Sequence, residues 1–414
     1  MTYLNVVEVE SALAGLAAAY PTLCQLVSLP NPTIEGRSTH ALQIGDVSAD
    51  AVLFTACAHA REWGGAEICI YFAADLLEAY TAHAGVAYGG KSFSASTVRR
   101  IVDNLNVVVY PCVNPDGRAF DQLHDALWRK NRNPASSGGD PNRVGVDINR
   151  NHDFLWDFRA DFAPGATSTG TLASDDPGSD LFHGTAAESE PETRNVRWLL
   201  DTYRFTRWYV DIHSYTGDLL YSWGDDLNQS DDTTMNFRNP GWNGQRGVPG
   251  GYAEYIPAAD LTTAQGAAQR VVDAINAVHG GHYVSLQSVS LWGSPGAVTY
   301  PTSGASDDYA YSRHFADCIK GRVFAFTLEF GYATSDFRTS FHPPWPDMQQ
   351  IVLEIDAGMF ELCAAAAPSF RWPWIVLFRR LWPWQIWDPL ARFLDPIVRQ
   401  ILGAVRSRAQ GSQR

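Results

Sequence analysis

The chain is expected to adopt an α/β fold, a mixed, mostly buried central β-sheet flanked by helices and followed by a C-terminal helical tail. Three observations lead there. Short apolar runs of strand length, such as 105–113 (LNVVVYPCV), alternate along the chain with longer segments whose apolar residues recur at helical spacing. Several of those runs are apolar almost throughout, the pattern of a strand covered on both faces. Hydrophobic residues make up 45% of the 414, enough for a sizeable core.

Residues 8–20 read as a short helix stopped by Pro21, and a turn-rich link follows it. Extended runs at 41–45 and 51–59 lead into a helix over 64–80. The run at 105–113 stops at Asn114-Pro115-Asp116-Gly117, which reads as a turn. Further helices are expected over 191–205, 261–279 and 348–365, and further strands over 208–214, 219–223 and 324–330. Gly, Ser, Asp and Asn gather at 134–143, 161–180 and 224–250, which read as long surface loops.

Composition removes several function classes. A net charge of −14 argues against a general nucleic-acid binder. The sequence holds no run of eighteen uncharged apolar residues. The N-terminus carries Glu8 and Glu10 before any long apolar run and lacks a basic leader, so no signal peptide is expected. The expected location is cytoplasmic, or peripheral to a membrane. Six cysteines lie singly, several inside apolar runs, and read as buried free thiols. A metal site would then be built from His and carboxylate.

The stretch 54–65, FTACAHAREWGG, supplies the first part of one. It closes an extended run and opens a helix, so His59 and Glu62 stand at a corner where both can face one ion. A His and a carboxylate suit Zn²⁺, and a catalytic zinc site needs a third protein ligand plus one open position. That third ligand must come from elsewhere in the chain.

With His59-Ala60-Arg61-Glu62 come Asn114-Pro115-Asp116-Gly117, Trp128-Arg129-Lys130-Asn131-Arg132, 144–151 (VGVDINRN) and Thr327-Leu328-Glu329-Phe330. In this order the motifs resemble the zinc carboxypeptidases of the carboxypeptidase A and B family, over roughly residues 5–365. The resemblance implies one Zn²⁺ held by His59, Glu62 and His213, with Asp147 accepting from the imidazole of His59. It implies that Glu329 serves as base and acid on the attacking water, and that Arg129 stabilises the oxyanion. Asn149 and Arg150 would bind the free carboxylate of a peptide or protein C-terminus, with Arg61 as a further substrate contact. Tyr300, in the loop 299–309, would swing over bound substrate. Asp307 falls at the base of the pocket for the C-terminal side chain, which implies a preference for Arg or Lys with mixed specificity left open. Asp308 reads as structural. The segment 225–255 is longer than in digestive members and resembles bacterial ones. Arg143 stands where a cysteine of the family's early disulfide would precede Val144. A peptidoglycan-peptide or amino-acid-conjugate hydrolase on the same scaffold, or a non-catalytic peptide-binding module, are the alternatives; Glu329 counts against the last.

Residues 1–366 read as the catalytic domain and 367–414 as a tail of another kind, carrying eight Arg against two Asp. Within 370–408, five Trp mix with Arg and apolar residues, and from Leu390 onward one apolar face recurs with Arg392, Arg399 and Arg406 elsewhere. Such a helix suits peripheral contact with a membrane, while packing on the acidic domain or a second subunit is the favoured expectation.

Overall fold

The computed structural model describes residues 3–289 and 299–368. Eight strands form the main sheet: β1 (Cys24–Ser28), β2 (His40–Gly45), β3 (Asp50–Ala56), β4 (Leu105–Tyr110), β5 (Thr206–Ser214), β6 (Asp218–Tyr221), β7 (Val284–Gln287) and β8 (Phe324–Phe330). Their spatial order is β1-β2-β4-β3-β5-β8-β6-β7. The four central strands, β4, β3, β5 and β8, are parallel to one another. Antiparallel pairings of β1 with β2, β2 with β4 and β6 with β8 flank them.

Helices of two turns or more are α1 (Val6–Ala19), α2 (Gly65–Thr81), α3 (Ala95–Asn104), α4 (Pro115–His124), α5 (Pro191–Thr202), α6 (Ala258–His279), α7 (Ser306–Ala316) and α8 (Trp345–Ala366). Successive strand residues point to opposite faces. Val52 and Phe54 of β3 therefore join the cluster under α1, α2, α3, α6 and α8, while Leu53 joins the one under α5 and α7.

On the second face the apolar pattern gives way to polar residues toward the carboxyl ends of the parallel strands. Leu53 is followed two positions on by Thr55, Tyr209 by Asp211 and His213, and Ala325 by Thr327 and Glu329. Register makes these neighbours: Thr55 and Thr327 pair with Asp211, and Glu329 with His213. A crevice beyond the carboxyl ends of parallel strands is where open α/β sheets bind ligands.

The expected α/β architecture is the one observed, with local differences. The run from 51 stops at Ala56, because Cys57 has a φ of +59° and breaks the strand before His59. Asn114-Pro115-Asp116-Gly117 opens α4: the Asn114 side chain accepts from the Gly117 N–H, and proline sits in the first turn. β1, α3, β7 and α7 are additional to the expected elements. Cys24, Cys57, Cys69, Cys112 and Cys363 are buried, Cys318 is exposed, and none is bridged. No helix among the described residues is long and apolar enough to cross a membrane. The tail segment 370–408, with its expected helix and membrane contact, lies outside the described residues.

Candidate active site

Two helix starts and two strand ends converge on the site. His59 and Glu62 lie in the short turn between β3 and α2, where the Glu62 N–H donates to the His59 carbonyl at 3.2 Å. Gly64 then takes a φ of +120° with Met348 packed against it, so that a Cβ there would meet the Met348 sulfur at 2.5 Å. Glycine lets the chain turn sharply into α2 beneath Glu62. Asn114, fully buried, ties the neighbouring segments together by donating from Nδ2 to the Ala58 and Lys130 carbonyls, both at 3.1 Å.

His213 arrives at the end of β5 with its Nδ1 3.0 Å from Oε2 of Glu62 and 3.1 Å from Nδ1 of His59, whose Nδ1 is 2.7 Å from Oε1 of Glu62. All three side chains are buried, and among the described residues they form the one group of three or more His, Cys, Asp or Glu with converging ligand atoms. Their chemistry fits a cation. Nε2 of His59 lies 3.1 Å from Oδ1 of Asp147, and Nε2 of His213 lies 3.0 Å from Oδ2 of Asp211. A carboxylate at each Nε2 favours the proton there and leaves both Nδ1 atoms as lone pairs facing each other. Zinc–nitrogen bonds of about 2.0–2.1 Å put tetrahedral ligand atoms about 3.3 Å apart, close to the spacing seen.

Asp147 is fully buried and serves several groups. Besides His59 it accepts from the Asn149 N–H at 3.0 Å, and its Oδ2 accepts from Nε and Nη2 of Arg129, both at 2.9 Å. Burial opposes its ionisation, but Arg129 and His59 hold the carboxyl well below the usual range. Asp211 is likewise held down at about 2, against burial, by His213 and by hydrogen bonds from Ser306 and Thr55. Glu329 is half-buried and pushed up to about 8 by burial and then by the Glu62 carboxylate.

The remaining expected residues sort by what already holds them. Arg61 donates to Asp180 at 2.9 Å and stacks 4.8 Å from the Phe341 ring centre, so its charge is partly committed. Arg150 is buried and donates only to the Asn149 carbonyl, at 2.7 Å; among the described residues no carboxylate pairs with it. Gly304 brings the 299–309 loop against it: its φ is +68°, and a Cβ would lie 2.3 Å from the Arg150 carbonyl oxygen. Tyr300 in that loop is 42% exposed. Asp307 and Asp308 are buried in the first turn of α7. Burial raises the Asp307 carboxyl, with Asp211 adding to the effect and a hydrogen bond from Thr327 opposing it. Asp308 accepts the Gly224 N–H through both oxygens, at 2.9 and 3.1 Å, as a structural residue would. Arg143 pairs with Asp176 at 2.8 Å.

Sequence reasoning passed over Asp211, Thr55 and Ser306. The signal was present for Asp211, which stands two positions before His213 on one strand and so shares its face.

The profile of the zinc carboxypeptidase family, the M14 peptidases, matches residues 9–355. The chain belongs to this family. As a zinc carboxypeptidase it is 29% identical to carboxypeptidase B of Astacus astacus over 331 residues, covering 79% of this chain and 86% of that protein. It is 34% identical to metallocarboxypeptidase A of Trichophyton tonsurans over 196 residues, 45% of this chain and only 40% of that protein. The crystal structure of carboxypeptidase A from Helicoverpa armigera superposes with a TM-score of 0.65 at 24% identity, covering 89% of this chain and 74% of that one, a likeness of fold. The resemblance therefore stands at the level of the family and is not specific to bacterial members. A zinc metallopeptidase acting at peptide C-termini is what membership and the His/Glu/His cluster establish.

Proposed function

We propose that this zinc carboxypeptidase uses one metal ion and favours peptides ending in Arg or Lys. The observation that carries C-terminal action is Arg150, a buried guanidinium without a carboxylate partner among the described residues, in the same site as the His59, Glu62 and His213 cluster; the basic preference rests on the buried carboxylate of Asp307. A buried unpaired cation is costly, and a substrate's terminal carboxylate would supply the missing partner through parallel charge-assisted hydrogen bonds.

His59, Glu62 and His213 would hold the zinc, which when bound supplies Lewis-acid polarisation of the scissile carbonyl and acidification of water. Asp147 and Asp211 fix the imidazoles so that Nδ1 faces inward. Asn149 and Arg150 hold the terminal carboxylate, which sets the scissile bond at a fixed distance from the cluster. Glu329 takes the proton of the attacking water and returns it to the departing amine. It must be ionised to do so, and a dication beside Glu62 opposes the push that raises it. Arg129, oriented by Asp147, offers its remaining N–H groups to the developing oxyanion. Tyr300 closes over the substrate from the exposed loop. Asp307 would pair with a basic C-terminal side chain.

Residues 1–366 are read as the catalytic unit and 367–414 as accessory. In support, the end of α8 is secured within the catalytic unit: Arg100 donates to the Ala364 carbonyl at 3.1 Å. A soluble, inactive protein lacking 367–414 would contradict this.

The test is hydrolysis of two blocked dipeptides, one ending in Arg and one in Phe, with and without a zinc chelator. Chelator-sensitive cleavage that favours Arg is expected. Equal cleavage of both removes Asp307 as selector, and cleavage insensitive to chelator removes the zinc mechanism.

A further inference from the structure

Ser306, the first residue of α7, stands between two parts of the site that come from distant stretches of chain. Its backbone N–H donates to Oδ1 of Asn149 at 2.8 Å, and its Oγ donates to Oδ2 of Asp211 at 2.5 Å. That same Asp211 oxygen lies 3.0 Å from Nε2 of His213. The other oxygen of Asp211 accepts from Oγ1 of Thr55 at 2.7 Å. Ser306, Asp211, Thr55 and Asn149 are all buried. The hydrogen bonds from Thr55 and Ser306 hold the Asp211 carboxylate in place, and its contact with Nε2 of His213 is an ion pair without hydrogen-bond geometry.

The physical consequence concerns orientation. A histidine at a strand end can turn about its side-chain bonds, and a metal ligand must keep one ring nitrogen aimed inward with its lone pair free. A carboxylate at the other nitrogen does this only if the carboxylate is itself held. Thr55 holds Asp211 from β3, and Ser306 holds it from α7. Because Ser306 is also bound to Asn149, a shift of the Asn149 and Arg150 segment on taking up a carboxylate reaches His213 through two hydrogen bonds and one ion-pair contact.

We propose that Ser306 is a positioning residue that ties the carboxylate-binding arm, Asn149 and Arg150, to the ligand His213 through Asp211. This rests on the reading of His213 as a zinc ligand and of Asn149 and Arg150 as the carboxylate receptor. Since coupling between two binding events is reciprocal, zinc affinity and carboxylate affinity strengthen each other through this chain.

Zinc affinity of the metal-free protein, measured by competition with a chromophoric chelator, tests it without reference to turnover. Ser306→Ala and Asp211→Asn each weaken zinc binding by about tenfold to a hundredfold. The double variant is no weaker than the weaker single one, because either change breaks the same chain. Asn149→Ala, which removes the acceptor of the Ser306 N–H, weakens zinc binding by about fivefold. Ser306→Cys keeps a side chain of the same shape, slightly larger, with a much weaker donor and gives the same loss as the alanine variant, so the answer does not depend on one variant folding. Affinity unchanged in folded Ser306→Ala or Ser306→Cys overturns the proposal, as does a double variant whose loss is the product of the two single losses. Unchanged affinity in Asn149→Ala overturns the tie to the carboxylate arm. Wild-type protein that binds no zinc overturns the site reading itself, a result separable from all of these.

Discussion

Replacing Asp147 by Asn changes one atom's chemistry and almost no volume, yet the surroundings leave the amide no good orientation. One oxygen of Asp147 faces Nε2 of His59 and the Asn149 N–H, and the other accepts from two nitrogens of Arg129. An asparagine keeps one acceptor and gains a donor. If its NH₂ faces Arg129, donors meet donors and a cation with only 11% of its side chain exposed loses its partner. If the NH₂ faces His59, the imidazole loses the group that fixes its tautomer. Removing one member of a buried pair costs about 3–5 kcal/mol, and the slight exposure of Arg129 argues for the lower end. Zinc affinity should fall about tenfold to a hundredfold, and the metal-free protein should unfold several degrees lower. The two effects separate in Asp147→Asn/Arg129→Gln. Neutralising the pair restores much of the metal-free stability but none of the zinc affinity. Chelator competition and thermal unfolding on wild type, Asp147→Asn, Arg129→Gln and the double variant read both quantities. Asp147→Asn that binds zinc within twofold of wild type would refute the argument that this carboxylate orients His59.

Asp307→Ala should lower the ratio of kcat/KM for Arg-ending over Phe-ending substrates by about a hundredfold, the worth of a buried ion pair left half made; an unaltered ratio rules Asp307 out as selector. Arg150→Met should cost about a hundredfold or more in kcat/KM, mostly through KM, since it removes charge-assisted hydrogen bonds to the carboxylate. Peptides with an amidated C-terminus should be equally poor substrates for both proteins, and a loss in Arg150→Met confined to kcat would point elsewhere. In the 225–255 segment, burial pushes Glu254 up from 4.5 to about 7, although Tyr252, Asp225, Arg246 and the Phe237 N–H oppose it. Its folded-state value lies above the unfolded one, so its contribution to stability is complete below about pH 4.5 and is lost as pH rises through 7, on the order of 3 kcal/mol in all. Asp226, pushed up to about 6, adds in the same direction. Protection of this segment against hydrogen exchange, taken relative to the intrinsic rate at each pH, should therefore be higher at pH 5 than at pH 8, and Glu254→Gln should narrow the difference; a segment equally protected at both values contradicts it.

The central strands were legible because residues buried on both faces are mostly apolar, as in 105–110 and the first residues of 324–330. The zinc cluster was legible because His59 and Glu62 lie three residues apart at a chain corner and the other motifs follow in order. Edge strands such as Cys24–Ser28, half-exposed, carry no comparable pattern. Helix α7 was hidden because its first turn, Ser306-Asp307-Asp308, is polar yet buried, satisfied by partners from distant parts of the chain. The same cause concealed Ser306 as a site residue, whereas Asp211 could have been found from its place two positions before His213 on one strand. Hydrogen bonds between residues ninety-five positions apart leave no periodicity to read. Asn114-Pro115-Asp116-Gly117 shows a further limit: a turn and a capped helix start use the same residues, and only the side-chain acceptor geometry tells them apart.

Everything proposed for the site depends on buried His59, Glu62 and His213 binding zinc and on Glu329 moving the proton in peptide hydrolysis. The decisive measurement is single-turnover hydrolysis of a blocked dipeptide ending in Arg, by wild type and Glu329→Gln at equal measured zinc content. One zinc per chain is expected in both proteins, with similar substrate binding and a rate about a hundredfold to ten-thousandfold lower in the variant. Turnover by zinc-loaded Glu329→Gln within tenfold of wild type would contradict that role for Glu329.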